Sequence, residues 1–231
     1  MKKQRLDTKR EVAKFDSVAD QYSQLHQKSV GSSGEGIEYF AQYKVDCLRR
    51  YGVSPSARIL DFGCGIGNLT QLMASSFAEV AGYDPSTESI DQAKKRGGTA
   101  SYSSDLAQLP RQGFDIIVLS GVLHHVPPTD RVEVLASARA FLRHGGRAFV
   151  FEHNPNNPLT RRAVDACPFD DDAILLSPKE VRKGLREAGF GQVRQDYIVF
   201  FPRVLAMLRG LEPKLRSLPV GAQTLTIGSS T

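Results

Sequence analysis

The chain has 231 residues, enough for one well-buried core with decorations and short for two. At 41% hydrophobic and 24% charged it has the composition of a folded globular protein, and its apolar runs never reach bilayer-spanning length, which excludes a helical membrane protein. The net charge of +5 is scattered beyond a basic start (Lys2, Lys3, Arg5, Lys9, Arg10), without the interleaved aromatics of a nucleic-acid face.

Residues 1–14 read as a flexible basic tail. They run into polar Glu11–Gln27 rather than an apolar signal core, and Cys47, Cys64 and Cys167 show no C-x-x-C spacing, so a reducing, cytoplasmic setting is expected. Val12, Phe15, Val18, Ala19 and Tyr22 recur at helical intervals, as do Ile37, Phe40, Ala41, Lys44, Val45 and Leu48. Two amphipathic helices follow, over Val12–Leu25 and Ile37–Arg50. Between them Ser29–Gly36 has the Ser/Gly-rich composition of a hinge. Residues 15–56 are thus expected to form an N-terminal helical lid on a domain spanning 57–231.

From Ala57 the pattern changes to short apolar runs alternating with amphipathic segments. Arg58–Phe62, Glu79–Tyr83, Thr99–Ser103, Phe114–Ser120 and Arg147–Glu152 read as strands. Gly67–Phe77, Ser86–Lys95, Thr129–Arg143 and Pro178–Ala188 read as helices. Val193–Phe201 and Ala222–Gly228 add two strands around a helical insertion, Val204–Ser217. Alternating elements imply βαβ units with right-handed crossovers, so the expected fold is α/β, doubly wound and Rossmann-like, around a mostly parallel seven-stranded sheet. Residues 153–177 and 202–219 are insertions on the substrate side.

One strand, Arg58–Phe62, runs directly into a turn carrying Gly63, Gly65 and Gly67 and then into a helix. Glycine lets the backbone turn sharply and approach a ligand, while the following helix presents unpaired N–H groups. The spacing is G-x-G-x-G, not the G-x-G-x-x-G of dinucleotide enzymes, and a tight βα turn alone asks for no more. Two further strand ends carry acids: Asp84, followed by Pro85, and Asp105, followed by Leu106. In an open parallel sheet these ends line one crevice, where an acid after the second strand accepts hydrogen bonds from ribose hydroxyls.

With these motifs the chain resembles the class I S-adenosyl-L-methionine (SAM)-dependent methyltransferases from about Phe15 to Gly228. The resemblance implies that Asp61–Gly67 wraps the methionine part of SAM, that Asp84 binds the ribose, and that Asp105 with Leu106 contacts the adenine. Phe114–Val126 then matches the motif beside the methyl group, and Pro85, Ser120 and, from the lid, Tyr22 complete the implied cofactor contacts. The implied product is S-adenosyl-L-homocysteine. The (D/N)-P-P-(Y/F) signature of adenine and glutamine N-methyltransferases is absent, because Asn154-Pro155 and Asn157-Pro158 come one strand too late. Cys167-Pro168 reverses the Pro-Cys order of cytosine C5 enzymes. These departures favour a small-molecule acceptor over nucleic acid. Phe15-Asp16-x-x-Ala19-x-x-Tyr22 and Glu152–Thr160 also resemble a bacterial subgroup associated with natural-product or glycan pathways.

Methyl transfer to a hydroxyl or amine needs proton removal, and histidine is suited to it near neutral pH. His153, after the fifth strand, and His124 and His125, after the fourth, are the candidate catalytic residues. As neighbours, the latter two are expected to point in different directions. The histidines show no helical i, i+4 metal pair and no four-ligand Cys/His cluster, so no metal is expected. Cys64 reads as a small filler between glycines, and Asp170-Asp171-Asp172, which could bind a cation or a basic substrate, reads as a solvated loop with helix-capping acids. A nucleotide-dependent oxidoreductase and a non-catalytic SAM-binding module are the alternatives, and a monomer or homodimer is the expected assembly.

Overall fold

Successive residues of the central strands are buried on opposite faces, the pattern a sheet needs when helices cover both sides. The computed structural model describes residues 33–167 and 170–230. Ile59, Ile116, Val118, Phe149 and Phe151 belong to one packed layer, and Leu60, Ile117, Leu119, Ala148 and Val150 to the other.

The strands are β1 (Arg58–Phe62), β2 (Glu79–Tyr83), β3 (Ser101–Ser103), β4 (Phe114–Ser120), β5 (Leu142–His153), β6 (Val193–Ile198) and β7 (Gln223–Ser229). They form one seven-stranded sheet in the order β3-β2-β1-β4-β5-β7-β6. The first five pair in parallel, and β7 runs antiparallel to β5 and β6. The expected mostly parallel, doubly wound sheet is therefore present. Because the chain winds outward from β1 to β3 and then returns to place β4 on the other side of β1, the strand order reverses between β1 and β4. A crevice opens at the carboxyl ends of strands at such a switch point.

The helices are α1 (Ile37–Arg50), α2 (Asn68–Ala74), α3 (Thr87–Lys95), α4 (Arg131–Arg139), α5 (Pro158–Asp165), α6 (Pro178–Glu187) and α7 (Glu212–Leu215). Val45 and Leu48 of α1 and Leu69 and Met73 of α2 fill the first layer, while Leu135 of α4 and Val181 and Leu185 of α6 fill the second. Burying each such side chain stabilises the fold by about 1.5–3 kcal/mol. Val45, Cys47 and Leu48 have no exposed surface, so the C-terminal half of α1 shares the core of the sheet domain. The first expected helix and Tyr22 lie outside the described residues. Among the described residues no helix is long and apolar enough to cross a membrane.

Several element ends differ from the sequence reading, each for a local reason. The third strand starts at Ser101 rather than Thr99, because Gly97 and Gly98 hold positive φ angles of 71° and 99°. β5 starts at Leu142, which pairs with Phe114, and its register with β4 shifts before Ile116; the helix expected up to Arg143 therefore ends at Arg139. β6 ends at Ile198 because Val199 adopts φ 59°. The expected insertion helix is a kinked 3-10 stretch, Arg203–Leu211, followed by the single turn α7. Helix α5 was not anticipated, although Asn157 caps it by accepting from Leu159 N and Thr160 N with Pro158 in the first turn. That Asn-Pro pair is a helix-start signal.

Candidate active site

The chain leaves β1 through Gly63, Gly65 and Gly67, with φ angles of 83°, 52° and 79°, in the left-handed region that favours glycine. Space is short as well: a Cβ on Gly63 would lie 2.6 Å from Val122 Cγ2. A Cβ on Gly65 would meet nothing within 4 Å, so that residue borders open volume. From the end of β2, Asp84 Oδ2 accepts from Gly65 N at 2.8 Å and Oδ1 accepts from Ser86 N at 3.0 Å. Asp84 thus braces the turn it stands beside.

Beneath the turn, buried Asp61 accepts a 2.7 Å hydrogen bond from Thr70 Oγ1. Burial pushes its carboxyl up to about 7, against the opposing pull of Thr70 and of the Lys44 ammonium. Lys44 stands on the inward face of α1, where burial draws its ammonium down to about 8 while Asp61 and Glu152 hold it up. Its side chain has no hydrogen bond or ion pair among the described residues.

A cavity of about 720 Å³ lies between the N-terminal half of α1 and this edge of the sheet. On the β1/β2 side Asp61, Gly63, Gly65, Asp84 and Pro85 line it; on the β4/β5 side Ser120, His124, His125, Glu152 and His153 do. Lys44 closes it from above. Three expected cofactor residues stand outside this wall. Gly67 packs against Tyr102, Asp105 is exposed and caps the 3-10 turn Leu106–Gln108 through Ala107 N, and Leu106 belongs to that turn.

His124 and His125 end the 3-10 turn Leu123–His125 that follows β4. His124 Nδ1 lies 2.7 Å from Glu152 Oε2 on β5, and Glu152 Oε1 accepts from Leu123 N at 2.8 Å. Across the rings, Asp170 Oδ1 lies 3.6 Å from His124 Nε2 and 3.4 Å from His125 Nε2. Both neighbours therefore turn to one carboxylate, contrary to the expectation of divergent directions. Successive residues on a 3-10 turn are separated by about 120° rather than alternating as in a strand, which lets the two rings sit 4.1 Å apart. The expected solvated loop at Asp170 is also corrected, since its side chain is 13% exposed. The segment after α5 is held against the site by Ile174 N donating to His124 O at 2.9 Å and Arg131 Nη2 donating to Ile174 O at 2.7 Å.

Burial alone would lower the basicity of His124, but the Glu152 and Asp170 carboxylates raise it to about 9. Burial and the His124 charge together draw His153 down to about 4 and His125 down to about 3. Although burial opposes it, the His124 imidazolium holds the Glu152 and Asp170 carboxyls below their ordinary range. Near neutral pH His124 is thus a cation between two carboxylates, and His153 is a neutral ring, 5.1 Å from His124, with no hydrogen bond among the described residues. Burial raises the Cys64 thiol well above its ordinary range, which keeps it un-ionised as expected of a filler.

Three residues of the site carry signals that the motif search did not use. Lys44 occupies an apolar register position of α1, Glu152 is a buried acid one residue before the end of a strand covered on both faces, and Asp170 reaches the site from a loop with no spacing motif. With His124 and His125, Asp170 also forms a set of three metal-ligating donors that lie within 4.8 Å of one another, where the sequence pattern suggested none.

The profile of the methyltransferase domain family matches residues 59–146, from β1 to the start of β5. An uncharacterized methyltransferase of Synechocystis is 33% identical over 167 residues, covering 69% of this chain and 77% of that protein. The trans-aconitate 2-methyltransferase of Mycobacterium ulcerans is 29% identical over 185 residues, covering 74% and 68%. In fold the chain is similar to the magnesium protoporphyrin IX methyltransferase of Synechocystis, solved with bound S-adenosylhomocysteine, at a TM-score of 0.66 and 17% identity over 97% of this chain and all of that one. Hydride transfer by an oxidoreductase is thereby set aside, and the chain belongs to the SAM-dependent methyltransferases.

Proposed function

We propose that this enzyme methylates a small-molecule acceptor bound on the β4/β5 side of the cavity, with SAM held on the β1/β2 side. The observation that carries the reading is the continuity of one cavity from the glycine turn and Asp84 to three histidines. Its volume, about 720 Å³, falls within the range of ligand pockets, about 300–1,000 Å³. The donor set suits SAM: Asp84 offers a carboxylate to the ribose, Asp61 an anion to the methionine ammonium, and Lys44 a cation to the methionine carboxylate. Gly63 and Gly65 leave the turn open to the ligand, Gly67 positions the turn, and Pro85 and Ser120 complete the wall. Asp105 and Leu106 would meet the adenine at the rim, beyond the present wall, and Tyr22 would cover the cofactor from the N-terminal side of α1, whose C-terminal half belongs to the core rather than to a movable lid.

When bound, SAM supplies an electrophilic methyl group on a sulfonium, so alignment and exclusion of water are the main tasks left to the protein. His153 is assigned as the group that takes the proton of a hydroxyl or amine acceptor: it closes β5 at the cavity and both ring nitrogens lack a hydrogen-bonding partner among the described residues. His124, fixed between Glu152 and Asp170, cannot accept another proton and instead anchors the acceptor side with His125. The reading includes a cytoplasmic enzyme acting as a monomer or homodimer; among the described residues no two cysteines form a disulfide, which fits a reducing compartment. The test is transfer of labelled methyl from SAM to a panel of small hydroxyl, amine, carboxylate and carbon acceptors beside transfer to protein and nucleic acid. Label on macromolecules alone would overturn the small-acceptor reading.

A further inference from the structure

We propose that His124, His125 and Asp170 bind one divalent first-row transition-metal ion at the acceptor side of the cavity. The separations point to a common centre. A charge-assisted hydrogen bond between an imidazole N–H and a carboxylate closes to about 2.7–2.9 Å, and the contact of His124 Nδ1 with Glu152, at 2.7 Å, does so. The two contacts to Asp170 Oδ1 stop at 3.6 and 3.4 Å. Ligand atoms held about 2.0–2.1 Å from one ion in tetrahedral or octahedral geometry lie roughly 2.9–3.5 Å apart. The two Asp170 pairs stand at or close to that spacing, and all three donors lie within 4.8 Å of one another, so closing in on one ion asks for a local adjustment of the two rings.

The surroundings of the donors are those of a ligand set, in which the ion takes the place of the Nε2 proton of the His124 imidazolium and that proton is released to solvent. A metal-bound histidine usually donates its other ring N–H to a carboxylate that fixes its tautomer and orientation. Glu152 Oε2 stands at that place on His124, and Leu123 N holds the other oxygen of Glu152 at 2.8 Å. The backbone of Asp170 is fixed too: its N–H donates to Cys167 O and its carbonyl accepts from Ala173 N, both at 3.0 Å. Two imidazoles and one carboxylate suit Zn²⁺, Co²⁺, Mn²⁺ or Fe²⁺ better than the all-oxygen preference of Ca²⁺ or Mg²⁺. With only three protein ligands, coordination positions remain, and His124 and His125 both line the cavity. An ion there can take an oxygen of the acceptor and lower its pKa.

The function of such an ion rests on the acceptor-side reading above, but its detection does not. The full-length protein, stripped with chelator, is dialysed against Co²⁺ as a spectroscopic probe and, in parallel, against Zn²⁺. One ion per chain is expected, with the visible absorption of Co²⁺ bound by nitrogen and oxygen ligands. Asp170→Asn and His125→Ala should weaken binding at least tenfold while SAM titration shows that each variant is folded, and Glu152→Gln should keep the stoichiometry with affinity reduced about 10–100-fold. His153→Gln should bind the ion as wild type does. Absence of stoichiometric Co²⁺ in the folded wild type, or undiminished binding in both Asp170→Asn and His125→Ala, would overturn the site. Failure of methyl transfer with metal binding intact would count against the acceptor reading and not against the ion.

Discussion

The β1/β2 side of the cavity is made mostly of backbone, and the β4/β5 side mostly of side chains. On the first, Gly63 N and Cys64 N donate to Tyr83 O, Gly65 N donates to Asp84, and the turn depends on positive φ angles. On the second, Glu152, His124, His125 and His153 form one electrostatically coupled group with Asp170, which meets the two rings from outside the cavity wall, and each charge sets its neighbours' protonation. A backbone site comes from contiguous sequence and holds its ligand in a fixed frame. A side-chain site draws on distant segments, and its chemistry changes with every member. Changes on the first side should therefore read out as SAM affinity, and changes on the second as rate.

The largest expected effect is on the side-chain half. His153→Gln keeps size and polarity but removes the proton-accepting imidazole, so single-turnover transfer to a hydroxyl or amine acceptor should slow by roughly 10²–10⁴. SAM affinity, measured by calorimetry on the same variant, should stay within about twofold if the two sides are independent. A wild-type rate in His153→Gln would withdraw the assignment and leave positioning alone as the source of catalysis.

Next in size is Asp84→Ala on the backbone half. The change removes the acceptors of Gly65 N and Ser86 N together with the proposed ribose contact. Expected is a loss of about 2–3 kcal/mol in SAM binding, or roughly 30–160-fold, with a smaller drop in melting temperature from the unbraced turn. Asp84→Asn, which keeps one acceptor oxygen, should fall between. Unchanged SAM affinity in folded Asp84→Ala would show that the backbone half works without this carboxylate.

The same contrast explains what was legible in the sequence. Gly63, Gly65, Asp84 and the strands that carry them were readable because each motif sits within a few residues of a strand end, and short continuous apolar runs mark the strands themselves, as expected where both faces of a sheet are covered. The partnership of Asp170 with His124 was not, since it is created by the fold-back of the segment after α5, and no local pattern records which loop lands on which strand end. His124 and His125 were found as candidates, but their common orientation depends on a 3-10 turn that residue type does not specify. Lys44 was in plain view within the apolar register of α1, where a charge signals either a surface position or a ligand; only burial beside Asp61 distinguishes them.

Lys44 gives a smaller effect that sharpens the comparison, because it is a side chain serving the backbone half. Lys44→Met should weaken SAM binding about tenfold, as expected for one charged hydrogen bond. The pH profile adds a sign. Wild-type affinity should rise as Asp61 ionises through about 7 and fall as Lys44 loses its proton above about 8. The α-amino group of SAM titrates near 8 as well, so the expected result is that Lys44→Met moves the rise to higher pH, because the ammonium no longer holds the Asp61 carboxyl down, and shows a shallower fall than wild type. Parallel profiles would remove Lys44 from the SAM site.

The smallest expected effect belongs to Asp105, which resemblance assigns to the adenine and geometry places outside the cavity wall. Its carboxylate already accepts from Ala107 N at 2.9 Å, and the residue is exposed. A hydrogen bond made there competes with water, so its net value is about 0.5–1.5 kcal/mol rather than the larger figure for the braced Asp84. Asp105→Ala should therefore weaken SAM about two- to twelvefold, measured beside Asp84→Ala under the same salt and pH. A loss equal to that of Asp84→Ala would mean that the Asp105 turn closes over the adenine on binding and becomes desolvated. No loss would mean that the adenine lies within the wall formed by Pro85, Ser86 and Ser89, and that Asp105 serves only to cap the Leu106–Gln108 turn.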